Sequence, residues 1–147
     1  MYHIDKYKLQ QELERDEGSR DTMYYDTAGV PTIGIGHNLY EPISQQAIDE
    51  IFKHDLAMHT YHCEKLPYWQ ALSGTRKRVI ANMMFNLGPK RLNTFKKMHK
   101  CLKSGDFQGA ADEMMDSKWY KQVGRRAERL VAAMRFNDER YLREGLV

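Results

Sequence analysis

The chain has 147 residues, of which 41% are hydrophobic and 29% are charged, with a formal net charge of +3 and a pI near 8.8. These values are typical of one soluble globular domain with its own core, and they argue against a disordered chain or two full-size domains. No apolar run approaches the roughly 18 residues that span a bilayer, and the charged amino terminus is unlike a secretory signal, so we predict synthesis in the cytoplasm without stable membrane insertion.

The first predicted helix covers residues 5 to 17. Leu9 and Leu13 are four residues apart in it, and Gly18 follows as an end signal. Continuing the same spacing reaches Glu17, where a carboxylate replaces an apolar residue. On a buried face in the last turn of a helix, both burial and the helix dipole favour the protonated carboxyl group. We therefore predict that Glu17 is inward-facing, in surroundings that disfavour its ionised form.

Residues 19 to 39 carry the only convincing sheet signal. Asp26-Thr27-Ala28-Gly29 has turn chemistry, and the run from Thr32 to Gly36 alternates like a strand, with glycine at every second position. Glycine inside a strand costs stability, so the missing side chains should serve a purpose. We expect them to leave a flat floor on which a long substrate could lie.

The remaining elements are predicted to be helices. The helix after Ser44 runs to about residue 58, and Gly88-Pro89 stops an apolar helix over residues 76 to 87. Shorter helices are predicted at 94–103, 106–115, 117–122 and 125–142. This order predicts an α+β fold in one domain, residues 1–147: a small sheet lobe (about 19–58) packed on a helical body (59–147 plus the N-terminal helix).

Two carboxylates and a threonine are the candidate catalytic groups. Asp26 lies nine residues after Glu17 at a solvated turn, where it should stay ionised, and Thr32 would return on the next strand toward Asp26. A neutral acid facing a carboxylate anion suits acid-assisted cleavage of an acetal. Each signal is weak alone, because an inward-facing Glu is more often salt-bridged and an Asp-Thr turn is usually only a turn.

Together these residues resemble the phage-type lysozymes of glycoside hydrolase family 24, the endolysins that open the bacterial wall. The resemblance rests on RDEG at 15–18 and YYDTAGVPTIGIGH at 24–37, and it continues through ANMMFNLG at 81–88 and SKWYKQVGRRAERL at 117–130. It implies a lysozyme-like fold that hydrolyses the β-1,4 bond between N-acetylmuramic acid and N-acetylglucosamine in peptidoglycan, without a cofactor. We expect a monomer that reaches the wall only after a separate pore protein opens the membrane of the infected cell.

The resemblance also assigns roles to individual residues. Glu17 would be the general acid, Asp26 the second carboxylate, and Thr32 the residue that helps hold the attacking water. An inverting mechanism, which the resemblance implies, needs the two carboxyl groups roughly 6.5 to 9.5 Å apart. The resemblance further suggests four substrate-binding residues: Gly36, Asn38, Phe85 and Asn86. It also suggests two structural ion pairs, one between His37 and Asp55 and one between Arg126 and Glu17. Plain core packing is the alternative for Phe85, and we expect Trp119 to be a packed aromatic.

Three rival functions can be weighed on the sequence. His54, His59, His62 and Cys63 cluster within ten residues, but their spacing does not fit a persuasive ligand set, so no metal is predicted. Basic runs could indicate nucleic-acid binding, but two carboxylates beside the hairpin would repel phosphate, and we predict no nucleic-acid partner. A catalytically inactive peptidoglycan-binding protein is the alternative that stays open.

Overall fold

The computed structural model describes residues 3–143 and confirms an α+β fold, helical except for a small antiparallel sheet near the amino terminus. No helix in this described part is long and apolar enough to cross a membrane. Two 3-10 turns, Trp69–Ala71 and Glu139–Leu142, supplement the regular elements. In chain order these are α1 (Lys6–Glu17), β1 (Arg20–Tyr25), β2 (Pro31–Gly34), β3 (His37–Asn38), α2 (Gln45–Glu64), α3 (Gly74–Asn93), α4 (Lys96–Lys103), α5 (Phe107–Met115), α6 (Lys118–Val123) and α7 (Arg125–Phe136).

The chain divides into two compact units, Met1–Asp49 and Glu50–Val147. The first unit contains α1, the sheet and the beginning of α2, and the second contains the remaining helices. The single domain predicted for residues 1–147 stays a prediction, and its residues 1, 2 and 144–147 lie outside the described part of the chain.

Helix α1 begins and ends close to the predicted residues. The Asp5 carboxylate caps its start by accepting a hydrogen bond from the Lys8 amide at 3.1 Å, and Gly18, with a φ of 70°, ends it. Gly18 also donates its amide to the Glu14 carbonyl, which satisfies one of the last carbonyl groups of the helix. Local capping therefore fixes the bounds of α1 and places Glu17 in its last turn.

The glycine-rich run is a strand that ends in a tight turn, so the prediction of a continuous strand from Thr32 to Gly36 is wrong. The sheet order is β1-β2-β3, and β2 ends at Gly34. Ile33 pairs with His37 across the turn. Gly34 and Gly36 have φ values of 65° and 68°, a left-handed conformation that costs other residues energy. The alternating glycines therefore serve the turn between β2 and β3, and they do not make a flat strand face.

Helix α2 is longer than predicted and mostly exposed. It continues to Glu64, six residues beyond the predicted end, because no proline or glycine interrupts it before Pro67. Its apolar positions Ile48, Ile51, Phe52 and Leu56 are each at least 44% exposed. Of the α2 residues, all of which are described, only Cys63 is buried.

The hydrophobic core of the described chain lies in the second unit. Helix α3 contributes its centre, and Gly88, with a φ of 79°, kinks this helix at the predicted stop before it resumes at Pro89. Helix α7 packs against α3, and α5 packs against α7. The Arg76 guanidinium of α3 donates to the Met134 carbonyl at 2.8 Å. The larger fully buried side chains are Cys63, Val79, Ile80, Met83, Leu92, Met98, Met114 and Met134.

A polar network lies against this core. The Nε2 of His99 lies 2.8 Å from the Leu92 carbonyl, which can only accept, so Nε2 carries the proton. The other ring nitrogen, Nδ1, therefore accepts from the Tyr68 hydroxyl at 2.7 Å. Burial lowers the pKa of His99 and raises the pKa of Tyr68, so both groups are neutral at physiological pH. The network ties the segment after α2 to α3 and α4.

Candidate active site

The turn between β1 and β2 holds Asp26. Its Oδ1 accepts hydrogen bonds from the backbone amides of Ala28 and Val30, each at 2.8 Å, while its own amide donates to the Val30 carbonyl at 2.9 Å. The predicted solvated, donor-rich turn is confirmed, because Asp26 is exposed and accepts two amide hydrogen bonds. These hydrogen bonds fix the orientation of the carboxylate.

Thr32 is bonded through its hydroxyl to the Val30 carbonyl, which also accepts from the Asp26 amide. Its Oγ1 donates to the Val30 carbonyl at 2.8 Å, and its side chain is only 3% exposed. Because the single hydroxyl proton is used in that bond, Oγ1 can only accept a further hydrogen bond, for example from a water molecule. Val30 thus links Asp26 and Thr32, a role that sequence analysis missed. The Asp-Thr-Ala-Gly turn was the available signal, since an Asp side chain commonly bonds amides that follow it.

Glu17 reaches the hairpin turn that follows β2. A methyl group built on Gly36 would lie 3.0 Å from both Cδ and Oε2 of Glu17 and 3.2 Å from its Cγ. The carboxyl group therefore rests against the bare backbone of Gly36. The structure thus places a carboxyl group from α1 beside the turn between β2 and β3, whereas Asp26 occupies the turn between β1 and β2.

The predicted burial of Glu17 is wrong. All twelve residues of α1 are described, and none is buried. Leu9 and Leu13, the two apolar positions used to predict an inward face, are 37% and 45% exposed. Two leucines among charged and amide side chains supply too little apolar surface to bury a whole helix face. Glu17 is consequently an exposed carboxyl group that contacts the hairpin through Gly36.

Asn38 and His37 follow the glycine turn in β3. Asn38 Oδ1 accepts from the Tyr40 amide at 2.8 Å, so this side chain shapes the segment after β3. The Nε2 atom of His37 is buried and has no hydrogen-bond partner within residues 3–143. Asp55 is half-buried on α2 and belongs to the second unit. Pairing of His37 with Asp55, and sugar binding by Asn38, stay predictions.

Phe85 and Asn86 lie on α3 in the second unit. Phe85 is 37% exposed and makes an edge contact with Phe52 at a centroid distance of 5.8 Å. Asn86 Oδ1 accepts from Trp119 Nε1 at 2.8 Å, and Trp119 is only 4% exposed. The expectation that Trp119 is a packed aromatic is therefore confirmed. Phe85 is neither sealed in the core nor shown to touch a sugar, so its predicted binding role stays a prediction, as does that of Asn86.

Arg126 makes a contact that the sequence analysis missed. Its Nε donates to Asn82 Oδ1 at 2.8 Å, and the two residues belong to α7 and α3 of the second unit. Asn82 precedes Asn86 by four residues, so one helix face carries both amides. Two asparagines at this spacing on an otherwise apolar helix were the available signal. The ion pair between Arg126 and Glu17 stays a prediction.

The histidine and cysteine residues of α2 that were weighed as metal ligands make contacts within the protein. His59 Nδ1 lies 2.6 Å from the Asp55 carbonyl, and its ring packs 5.0 Å from that of Phe85. Cys63 is buried, and burial, with a smaller contribution from Glu64, raises the pKa of its thiol to about 11. A thiol with this pKa is a poor metal ligand and nucleophile at neutral pH. Within the described residues, no group of three or more His, Cys, Asp or Glu side chains is arranged to hold a metal ion.

A groove of about 490 Å³ in the second unit is lined by residues from α3 through α6. Its apolar lining residues include Leu87, Phe95, Met98 and Trp119. Its charged lining is predominantly basic: Arg91, Lys96, Lys97 and Lys118, against the single carboxylate of Glu113. Such a groove favours ligands with apolar surface and negative charge.

Comparison with known proteins decides the family. The family model described as Phage lysozyme matches residues 14–136, which include Glu17, Asp26 and Thr32. The chain belongs to the phage lysozyme family. This lysozyme is a glycoside hydrolase, and the resemblance drawn from its sequence motifs is confirmed.

Relatives of this lysozyme differ in size. Probable T4-type lysozymes 1 and 2 of Dictyostelium discoideum are 30% and 28% identical to it, over 83% and 84% of the chain and 90% and 91% of their own lengths. The pre-baseplate central spike protein Gp5 of Enterobacteria phage T4 is 32% identical over 80% of the chain. The match covers only 26% of that spike protein, so the chain spans about a quarter of it.

Proposed function

We propose that this lysozyme is a muramidase that cleaves the β-1,4 bond between N-acetylmuramic acid and N-acetylglucosamine in peptidoglycan, with Glu17 and Asp26 as its catalytic carboxyl groups. The family match covers both residues. The observation that carries the proposal is that each carboxyl group lies at a turn of one small sheet: Asp26 is hydrogen-bonded within its turn, and Glu17 lies against Gly36. Most glycoside hydrolases use a pair of carboxyl groups that flank the scissile bond.

Glu17 acts as the general acid in the proposed mechanism. It donates a proton to the glycosidic oxygen as the bond to the anomeric carbon breaks. Its exposure lets it exchange protons with solvent between turnovers. The rigid backbone of the hairpin turn limits where the carboxyl group can lie.

Asp26 and Thr32 act on the water molecule in the proposed inverting reaction. Oδ1 of Asp26 accepts two amide hydrogen bonds, and its second oxygen, Oδ2, is available to accept a proton from water. Thr32 Oγ1 can accept a second hydrogen bond from that water, because its own proton is committed to the Val30 carbonyl. The water then attacks the anomeric carbon on the face opposite the leaving group. The required separation of the carboxyl groups stays a prediction.

The proposed biological role is host cell lysis. The net charge of +3 and the basic groove of the second unit would attract a wall polymer that carries carboxylates, and this attraction would weaken with salt. We propose that the monomeric enzyme is made in the host cytoplasm and acts on the wall after the membrane has been permeabilised. No cofactor takes part in this scheme.

Digestion of purified peptidoglycan tests the bond specificity. We expect new reducing ends that carry N-acetylmuramic acid, identified by borohydride reduction and mass spectrometry. Reducing ends that carry N-acetylglucosamine would assign a glucosaminidase instead, and anhydro-muramic ends would assign a transglycosylase. Binding to the polymer without any new ends would favour the catalytically inactive alternative.

A further inference from the structure

We propose that Gly36 is a positioning residue for catalysis, because its missing side chain provides the surface on which the Glu17 carboxyl group rests. This inference rests on the proposed function, in which Glu17 is the acid. It differs from a sugar-binding role for Gly36, since the contact is with an enzyme side chain. The family match assigns no such role to this position.

The contact is closer than ordinary packing allows for any larger residue. Carbon atoms in contact are most stable about 3.5–4.0 Å apart. A Cβ atom at position 36 would lie 3.0 Å from Cδ and Oε2 of Glu17. The carboxyl group would therefore have to move by roughly 0.5–1 Å, or the turn would have to shift. Only glycine leaves the observed position of the acid available.

Gly34 provides a matched comparison two residues away. Its φ of 65° is close to the 68° of Gly36, so alanine would be similarly strained at both positions. A Cβ atom on Gly34 would meet no heavy atom within 4 Å, whereas one on Gly36 would meet Glu17. The difference between Gly36→Ala and Gly34→Ala therefore isolates the contact with the acid from the backbone strain.

Displacing the acid should reduce turnover more than binding. A general acid must point at the oxygen that it protonates, and a misplacement of about 1 Å can cost about 100-fold in rate. A sugar-binding role for Gly36 would instead appear as a raised KM. The ratio of the effects on kcat and KM distinguishes the two roles.

The first experiment compares kcat and KM of the full chain with those of Gly36→Ala and Gly34→Ala on soluble peptidoglycan fragments. We expect kcat to fall about 100-fold in Gly36→Ala with KM changed less than about threefold, while Gly34→Ala keeps kcat within about threefold. The alkaline limb of the pH-rate profile, which reports the group that must be protonated, should also shift in Gly36→Ala alone. Equal losses of kcat in both variants, or a change confined to KM, would overturn the proposal.

A second experiment measures stability and does not depend on activity. Both alanine substitutions are made in the native chain and in a Glu17→Ala background, and the melting temperatures are compared. Gly36→Ala should lower the melting temperature less in the Glu17→Ala background than in the native chain, or should fold only in that background. Gly34→Ala should lower the melting temperature equally in both backgrounds. Equal costs for Gly36→Ala in both backgrounds would mean that Gly36 does not restrain the Glu17 side chain and would overturn the proposal. The cost of Gly36→Ala could depend on Glu17 even though the native chain releases no reducing ends from peptidoglycan. In that case the contact exists but the proposed function fails, and the positioning role fails with it.

Discussion

The two units of the chain divide burial and chemistry between them. Within residues 3–143, every buried hydrophobic residue lies between Cys63 and Met134, in the second unit. Among residues 3–49, Thr32 alone is buried, yet this first unit holds all three predicted catalytic residues. One part of the molecule is therefore held by a hydrophobic core and the other by backbone geometry, capping and turn hydrogen bonds.

This difference teaches what each region tolerates. Stability of the second unit follows from apolar burial, so it responds to the size and shape of side chains. Geometry of the first unit follows from a few polar atoms and glycine conformations, so it responds to single hydroxyl, carboxylate and Cβ changes. Substitutions should accordingly separate into those that unfold the chain and those that stop the reaction in a folded chain.

The largest effect on activity without unfolding, apart from that of Glu17, is expected from Asp26→Asn. Asparagine keeps a side-chain oxygen for the Ala28 and Val30 amides, so the turn should persist, but it cannot take a proton from water. We expect the rate to fall about 100-fold or more, with a melting temperature close to that of the native chain. Release of reducing ends and thermal melting measure the two quantities. Asp21→Asn, in the exposed strand β1, is the control and should remain active; a near-native rate for Asp26→Asn would reject its assigned role.

The converse effect is expected in the core. Met83 is completely buried on α3, and Met83→Ala should lower the free energy of unfolding by about 2–5 kcal/mol through lost burial and a cavity. The folded fraction should keep its kcat. Urea denaturation gives the stability, and Met115→Ala, at a residue that is 43% exposed, is the control with a small effect. A large loss of kcat in fully folded Met83→Ala would contradict the assignment of stability to the second unit and of catalysis to the first.

Substitution of Thr32 should affect both stability and activity, because this residue is buried and is also a catalytic candidate. Thr32→Val removes the hydrogen bond to the Val30 carbonyl, which still accepts from the Asp26 amide, so the stability cost should be about 1 kcal/mol. We expect the activity of Thr32→Val to fall further than this loss of stability explains. Thr32→Ser, which retains the hydroxyl, should keep most of the native activity. Equal activity of the two variants would limit Thr32 to a structural role.

The smallest expected effect is a pH dependence of stability from His99. Burial, followed by the charges of Lys103 and Lys96, lowers its pKa below the ordinary value of 6.5. The unfolded chain therefore binds a proton that the folded chain does not bind as the pH falls below 6.5. The associated stability is fully present above that pH and is lost below it, by up to about 1.4 kcal/mol per pH unit. His99→Gln should show a shallower decline between pH 7 and 5 in urea melts; identical slopes would exclude this contribution.

The sequence predicted most of the helical bounds because they depend on local signals. Asp5 and Gly18 delimit α1, and Gly124 precedes α7 as predicted. The predicted final helix at 125–142 stops earlier, at Phe136, because Asn137 adopts a left-handed conformation and a separate 3-10 turn follows. Such a conformation of a non-glycine residue leaves only a weak trace in a sequence.

The sequence proposes the residues of the candidate site, but it predicts their geometry less well. The spacing of Glu17, Asp26 and Thr32, with the family resemblance, led to their proposal as catalytic residues, which stays a prediction. The burial of Glu17 was predicted wrongly, since two leucines were taken as a buried stripe, and the glycines were assigned to a strand face. Contacts between residues far apart in the sequence, such as Glu17 with Gly36 or Arg126 with Asn82, depend on how turns bring elements together.

The rate of peptidoglycan hydrolysis by Glu17→Gln tests the central claim most directly. Glutamine preserves the size of the side chain and its contact with Gly36 but has no proton to donate to the glycosidic oxygen. The matched control is Glu12→Gln, an exposed position in the same helix. We predict that Glu17→Gln loses at least about 100-fold in the release of reducing ends with an unchanged melting temperature, while Glu12→Gln keeps native activity. Substantial hydrolysis by folded Glu17→Gln would contradict the account and place the acid elsewhere.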